Sequence, residues 1–311
     1  MNSDKPIINW EELSTVKDTW ALTSLISYEL LDIADGKIRA YSLNYKNLNY
    51  NVQEFIESIK QNITSYVLNQ RAIDAEERAG KDLFLTASKY FGKINPQKDG
   101  KFGELILYLL IESVLRVPMI ALKLTSSPND QVKGSDGIFC GNYLSRPAIL
   151  IGEAKVYKKI NPAINSAFRS LNRFYQNQDA LDNECLVARQ SSRYDCLSNE
   201  QMDYIYDCLT IGSEFNLARE VIHPVLIIYD SASVVEAKGA DDNELISHLK
   251  CLIHESTVQH EAYIVSLLEK FSAIRSVDFF FIPMESVDVF RNAVFKAIHG
   301  FSWQNRNPRL K

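Results

Sequence analysis

The chain has 311 residues, 46% of them hydrophobic and 23% charged, with a net charge of −5. That composition excludes a disordered chain and allows one large domain or two small ones. The acidic balance argues against a protein that grips nucleic acid alone over a broad surface, because such proteins usually carry a basic surplus; any DNA contact is expected to be local or supplied by a partner.

Beginning at the N-terminus, MNSDKPIINWEEL has acids where a secretory signal carries basic residues and then an apolar run. "KIRAYSLNY" reads as extended, and Val52, Phe55, Ile56, Ile59, Ile63 and Val67 follow with helical spacing. A second helix is predicted from Asp74 to Phe91, ended by Gly92. "KINPQKDGK" then marks a boundary between an N-terminal α/β module, residues 1–92, and a main domain, residues 93–311.

The main domain opens with "FGELILYLLIESVLRV", a helix apolar almost all round and therefore buried. Its longest apolar run, Leu105 to Ile111, falls far short of the ~20 residues that cross a bilayer. The expectation is a cytoplasmic protein with no membrane contact. "MIALKL" at 119–124 reads as a strand, and "GSDGIFCGNYLSRPAILIGEAK" as two more strands joined by a turn containing Gly141 and Asn142. Helical spacing returns from Asn161 through Ile164, Phe168, Leu171 and Tyr175, followed by a less readable segment to about residue 220. "HPVLIIYD", the long helix from "NELISHLK", "VDFFFIPM" and "SVDVFRNAVFKAI" complete a strand-helix-strand-helix series. The alternation predicts an α/β fold with a central mixed sheet flanked by helices. Cys140, Cys185, Cys196, Cys208 and Cys251 include no C-x-x-C pair and read as reduced, mostly packed thiols.

The chemistry concentrates in "ILIGEAK", residues 149–155. Side chains alternate along a strand, so Glu153 and Lys155 leave on one face, beside Ile149 and Ile151. Asp136 sits between glycines just before the neighbouring strand. If the two strands pair, Asp136 and Glu153 converge at one end of the sheet, and two carboxylates there call for a cation. Mg²⁺, with Mn²⁺ as the alternative, prefers the hard oxygens that Asp136, Glu153 and the Ala154 carbonyl offer. Lys155 would position the attacking water and stabilise negative charge on a phosphate. Glu104, an acid in an apolar helix, is either a third ligand or a first-turn charge complementing the helix dipole. Between Glu153 and Arg173 lie five basic residues against one acid; Lys158, Lys159, Arg169 and Arg173 are candidate phosphate contacts or solvated helix charges.

A helix with an acid, an Asp, then Glu-x-Lys at a strand end and a further helix resembles the PD-(D/E)XK, restriction-endonuclease-like nuclease core. Its Asp maps to Asp136, its Glu and Lys to Glu153 and Lys155, and its helical acid to Glu104. Ser135 stands where the family often has proline. More narrowly, "GELILYLLIE", "KGSDGIFC" and "LIGEAKVYKKINPAINSAFRSL" resemble the HamA family, the nuclease component of the Hachiman antiphage defence system. That resemblance implies a Mg²⁺-dependent DNA endonuclease gated by a separate HamB-like helicase subunit that delivers the DNA. The alternatives are a nuclease-fold subunit that only binds and regulates a helicase, or a stand-alone restriction-type nuclease.

"HESTVQHE" is not a zinc signature, because His254 and His260 stand six apart, about 240° around a helix. No nucleophile elbow, Walker loop or dinucleotide fingerprint appears, so a helicase motor has to come from another chain.

Overall fold

The computed structural model describes residues 8–33, 36–43, 45–46, 49–50, 52–93, 95–98, 100–122, 137–176, 182–183, 185–186, 188, 197–210, 213, 221–237 and 242–303. In chain order these form helix α1 (Thr19–Ser24), strands β1 (Leu25–Ile33) and β2 (Gly36–Leu43), and the short pair β3 (Tyr45–Lys46) and β4 (Asn49–Tyr50). Helices α2 (Val52–Gln61), α3 (Ile63–Val67), α4 (Gln70–Arg78), α5 (Leu83–Phe91) and α6 (Lys101–Leu110) follow. Next come β5 (Met119–Ala121), β6 (Ile138–Tyr143), β7 (Arg146–Ile151), β8 (Glu153–Tyr157), α7 (Ile160–Gln176) and α8 (Asn199–Cys208). The chain closes with β9 (Val221–Asp230), α9 (Ala232–Ala237), α10 (Asp242–Lys270), β10 (Val277–Met284) and α11 (Val287–His299).

The main sheet runs β1-β2-β10-β9-β7-β6-β5, with β8 also paired to β9. β2, β10, β9 and the β7–β8 run are parallel, while β1, β6 and β5 pair antiparallel with their neighbours. This is an α/β protein whose mixed sheet is covered by helices on both faces. On one face α6 lies in a core with α2, α3 and α11, including Phe55, Leu107, Tyr108 and Phe290. On the other, α7 and α10 bury Ala163, Ile164, Phe168 and Leu267 against Val225, Ile227 and Phe279. A third cluster joins Trp10 and α8 to β6 and β7 through Cys140, Ile149, Ile151 and Ile205. Fully burying each such Leu, Ile or Phe side chain contributes about 1.5–3 kcal/mol, so the sheet is anchored from both sides.

The segment up to residue 92 shares this framework: β2 pairs with β10, and Phe55, Ile59 and Tyr66 join the same core as α6. The helix predicted from Asp74 to Phe91 is two helices. Gly80 adopts the left-handed conformation (φ +67°), and Asp82 starts a new helix by accepting from the Leu85 amide at 2.9 Å. The β6–β7 turn is formed by Leu144 and Ser145, both at positive φ, rather than by Gly141 and Asn142. Pairing of Ile138 with Ile151 and Cys140 with Ile149 fixes the register, and the buried pairs override the local turn signal. The predicted strand at 119–124 is described only as Met119–Ala121, and residues 123–124 lie outside the described residues. In the stretch that was hard to read, α8 begins with a capping box: Ser198 Oγ accepts from the Gln201 amide, and Gln201 Oε1 accepts from the Ser198 amide.

α6 continues into a π turn, Ile111–Leu115, that ends at Arg116 with φ +58°. The turn points Glu112 inward. Its carboxylate accepts from the amides of Thr15 (2.7 Å), Val16 (3.0 Å) and Met119 (2.9 Å) and from the Thr15 hydroxyl (3.0 Å). Arg116 donates to the carbonyls of Val16 and Glu11, both at 3.3 Å. One helix end thereby holds both the N-terminal segment and β5.

Candidate active site at the free edge of β8

β7 and β8 are two halves of one run against β9, interrupted at Gly152. Ile149 pairs with Val221 and Glu153 with Val225, in the same register. On its other side the run is covered only as far as β6 reaches. Ile138 pairs with Ile151, and the Gly152 amide donates to Gly137 O at 3.3 Å. From Glu153 onward no strand covers that edge among the described residues. Asp136, the residue before Gly137, lies outside the described residues.

Register assigns the faces. Glu153, Lys155 and Tyr157 pair with Val225, Ile227 and Tyr229, which belong to the core under α7. Ala154 and Val156 therefore face α6. The helix comes close because two glycines leave room: a Cβ on Gly103 would stand 2.9 Å from Val156 Cγ2, and one on Gly152 2.9 Å from Leu107 Cδ2. The α6 N-terminus is thus laid over β8 beside the free edge.

The structure brings Glu153 and Lys155 together. Glu153 is buried, Lys155 is half-buried, and Lys155 Nζ forms an ion pair with Glu153 Oε1. Glu104 lies in the first turn of α6 with its Oε1 against Gly100, 3.7 Å from where a Cβ would stand. Gly100, Lys98, Lys155, Tyr157, Lys158 and Arg291 line one cleft of about 460 Å³ along the β8 edge. Arg291 donates to Val156 O at this edge. Carbonyls alternate in direction along a strand, so Ala154 O points the same way, outward into the cleft.

The predicted phosphate contacts separate into different environments. Lys158 forms an ion pair with Asp288 at 2.6 Å, which raises its pKa through the hydrogen bond to that carboxylate. Arg173 donates to Ser170 Oγ at 3.2 Å, and Lys159 is exposed. Arg169 is exposed and lines a second cleft of about 390 Å³ with Tyr157, Pro162, Asn165 and Ser166. Among the described residues, no group of three His, Cys, Asp or Glu side chains is placed to hold a metal ion. His254 is exposed and His260 half-buried on α10.

Three residues at or beside the site were missed in the sequence. Tyr157 was legible, since one more step of the Glu153, Lys155 alternation reaches it. Arg291 comes from α11 and had no local signal; burial lowers its pKa while Asp288 and Asp230 raise it. His223 is fully buried on β9, two residues before Val225, the partner of Glu153. Its Nδ1 donates to Ile151 O (3.2 Å), because a carbonyl only accepts, which leaves Nε2 to accept from the Tyr175 hydroxyl (2.7 Å). Burial pushes the His223 pKa down to about 4 and that of Tyr175 up to about 12. The neutral ring therefore ties α7 to the strand just before Glu153.

A mixed sheet with helices on both faces, a strand edge left open and Glu-x-Lys at that edge are consistent with an α/β nuclease-like core. The HamA family profile matches residues 19–298, and the chain belongs to the HamA family. That membership makes it a component of Hachiman antiphage defence. No curated protein matches the chain. Among the described residues, no helix is long and apolar enough to cross a membrane.

Proposed function

We propose that the chain is the DNA-degrading effector of this defence system, a Mg²⁺-dependent endonuclease that works with a separate helicase subunit. The observation that carries the reading is the Glu153–Lys155 pair at the uncovered β8 edge, with Lys155 lining a cleft that holds further cations. The donor set suits a hard cation: the Glu153 carboxylate and the outward Ala154 carbonyl are oxygen ligands of the kind Mg²⁺ or Mn²⁺ takes. Asp136 and Glu104 are proposed to complete it, Asp136 because its chain neighbour Gly137 is hydrogen-bonded to the neighbour of Glu153. When bound, the metal would supply Lewis-acid polarisation of the phosphodiester. Lys155 would exchange part of its contact with Glu153 for the scissile phosphate or the attacking water, holding both on the open side of the strand. Lys98 and Arg291 add positive charge to the same cleft.

Partnership with a HamB-like helicase is supported by family membership and by the net charge of −5, which suits a nuclease whose DNA is delivered to it. Docking of that partner on the 1–92 segment belongs to the same proposal. Deleting the segment is a poor test, because it removes β2 from beside β10. The experiment is cleavage of supercoiled plasmid by the full chain, alone and with the helicase, in Mg²⁺ and in EDTA. Mg²⁺-dependent cleavage that rises when the helicase is present supports the proposal. No cleavage in any mixture favours a subunit that only binds and regulates the helicase.

A further inference from the structure

Tyr157 stands between two clefts and lines both. On one side is the 460 Å³ cleft with Lys98, Lys155 and Arg291; on the other is the 390 Å³ cleft with Arg169. Both volumes lie in the range that holds small organic groups. Tyr157 shares the strand face of Glu153 and Lys155, one strand repeat of about 6.6 Å beyond Lys155. A large aromatic at a strand end is expected to bury its ring, yet this one is 39% exposed. Nor is it loose: its hydroxyl hydrogen-bonds Ser166 Oγ on α7 at 3.0 Å, which holds the ring in place from one end.

A fixed, exposed ring flanked by cations suits a flat, anionic polymer. Each nucleobase offers a π-face for stacking, and each link carries a phosphate. In a duplex the bases already stack on one another and present no face to a side chain, whereas a single strand does. The phosphate partner is available: Arg169 makes no ion pair among the described residues, in contrast to Lys158, which is held by Asp288. The long stem and planar head of Arg169 also suit phosphate recognition.

We propose that Tyr157 is a stacking platform for one base of single-stranded DNA, with Arg169 taking the adjacent phosphate. The strand then runs from the Arg169 cleft across the ring to the Glu153–Lys155 edge. The proposal rests on the nuclease reading for what happens at that edge, but binding on the platform does not require cleavage.

The test is fluorescence anisotropy of a labelled oligothymidylate with the full chain in EDTA, where no metal-dependent cutting intervenes. Tyr157→Leu is expected to weaken binding by roughly 5- to 150-fold, the range spanned by loss of one stacked base. Tyr157→Phe, which keeps the ring and loses the Ser166 contact that fixes it, is expected to bind far better than Tyr157→Leu and slightly less tightly than the wild type. Arg169→Gln is expected to weaken binding and lower the salt slope by about 0.7, one phosphate on a single strand. A duplex of the same length is expected to be insensitive to Tyr157→Leu. Melting temperatures of the variants show whether they fold, and an iododeoxyuridine oligonucleotide photo-cross-linked to the wild-type chain maps the contact without any substitution. A cross-link at Tyr157 supports the platform. A cross-link confined elsewhere overturns it, as do undiminished binding by folded Tyr157→Leu, equal losses on single strand and duplex, or no single-strand binding by the wild type. If the wild type binds and cross-links as expected but cuts no DNA in Mg²⁺ either alone or with the helicase subunit, the nuclease reading fails and the platform stands.

Discussion

Glu112 offers the most quantitative test of the framework. Its two carboxylate oxygens serve three backbone amides and one hydroxyl from separate parts of the chain, at 2.7–3.0 Å. In Glu112→Gln the shape is kept, but one oxygen becomes an NH₂. The best arrangement leaves the carbonyl oxygen facing Thr15 and Val16 and turns the NH₂ toward the Met119 amide, donor against donor. Burying that amide unsatisfied costs about 1–3 kcal/mol, and each remaining bond falls from the charge-assisted range of about 1.5–3 kcal/mol to about 0.5–1.5. The three weakened bonds and the stranded amide together give about 4–7 kcal/mol. At about 2 °C per kcal/mol for a chain of this size, the melting temperature drops by about 8–14 °C. Differential scanning calorimetry measures the drop, and hydrogen exchange should show residues 11–16 losing protection before the sheet does. A variant that melts within about 1 °C of the wild type, with unchanged exchange at Val16 and Met119, would refute the clamp.

Two further outcomes follow from buried polar groups. His223 has a folded pKa of about 4 against 6.5 for the free side chain, so the unfolded chain binds the proton more tightly. Its contribution is complete above pH 6.5 and declines as pH falls toward 4, by up to about 3 kcal/mol. Urea unfolding at pH 7 and pH 4.5 should show this loss, and a His223→Gln chain with the same pH dependence as the wild type would contradict it. On the opposite sheet face Asp278 is fully buried, paired with Arg39 and accepting from the Tyr143 hydroxyl at 2.7 Å. Arg39→Met strands that carboxylate, with an expected loss of about 3–5 kcal/mol in chemical denaturation. A loss under about 1 kcal/mol would show that Tyr143 alone satisfies it.

What could be read from the sequence were signals carried by short windows. β10 spans Val277–Met284 as expected, and "HPVLIIYD" lies within β9, because the unbroken apolar runs Phe279–Met284 and Val225–Tyr229 leave little choice of structure. The alternation in "ILIGEAK" placed Glu153 and Lys155 together because a strand's side-chain period is fixed, whatever packs around it. What escaped were contacts between distant segments. Nothing near Arg291 announces that it will meet Val156 O, and nothing near Glu112 announces four donors from residues 15, 16 and 119. The sheet role of β1 and β2 was hidden for the same reason: their place is set by β10, more than 200 residues away. Local errors came where tertiary pairing opposed turn chemistry, at Leu144 and Ser145, and where Gly80 split a stretch of good helix formers.

The central claim is that the open edge of β8 is where DNA is cut, and its most direct test uses the two residues brought together there. Wild type, Glu153→Gln and Lys155→Met chains, matched for folding by melting temperature, are incubated with the helicase subunit, supercoiled plasmid and Mg²⁺, and nicked and linear products are followed over time. The account expects either substitution to slow cleavage at least about 100-fold, the scale seen when a group stabilising transition-state charge is removed. Cleavage by folded Glu153→Gln and Lys155→Met at the wild-type rate would mean that the pair is structural and that the reaction, if this chain performs it, occurs elsewhere.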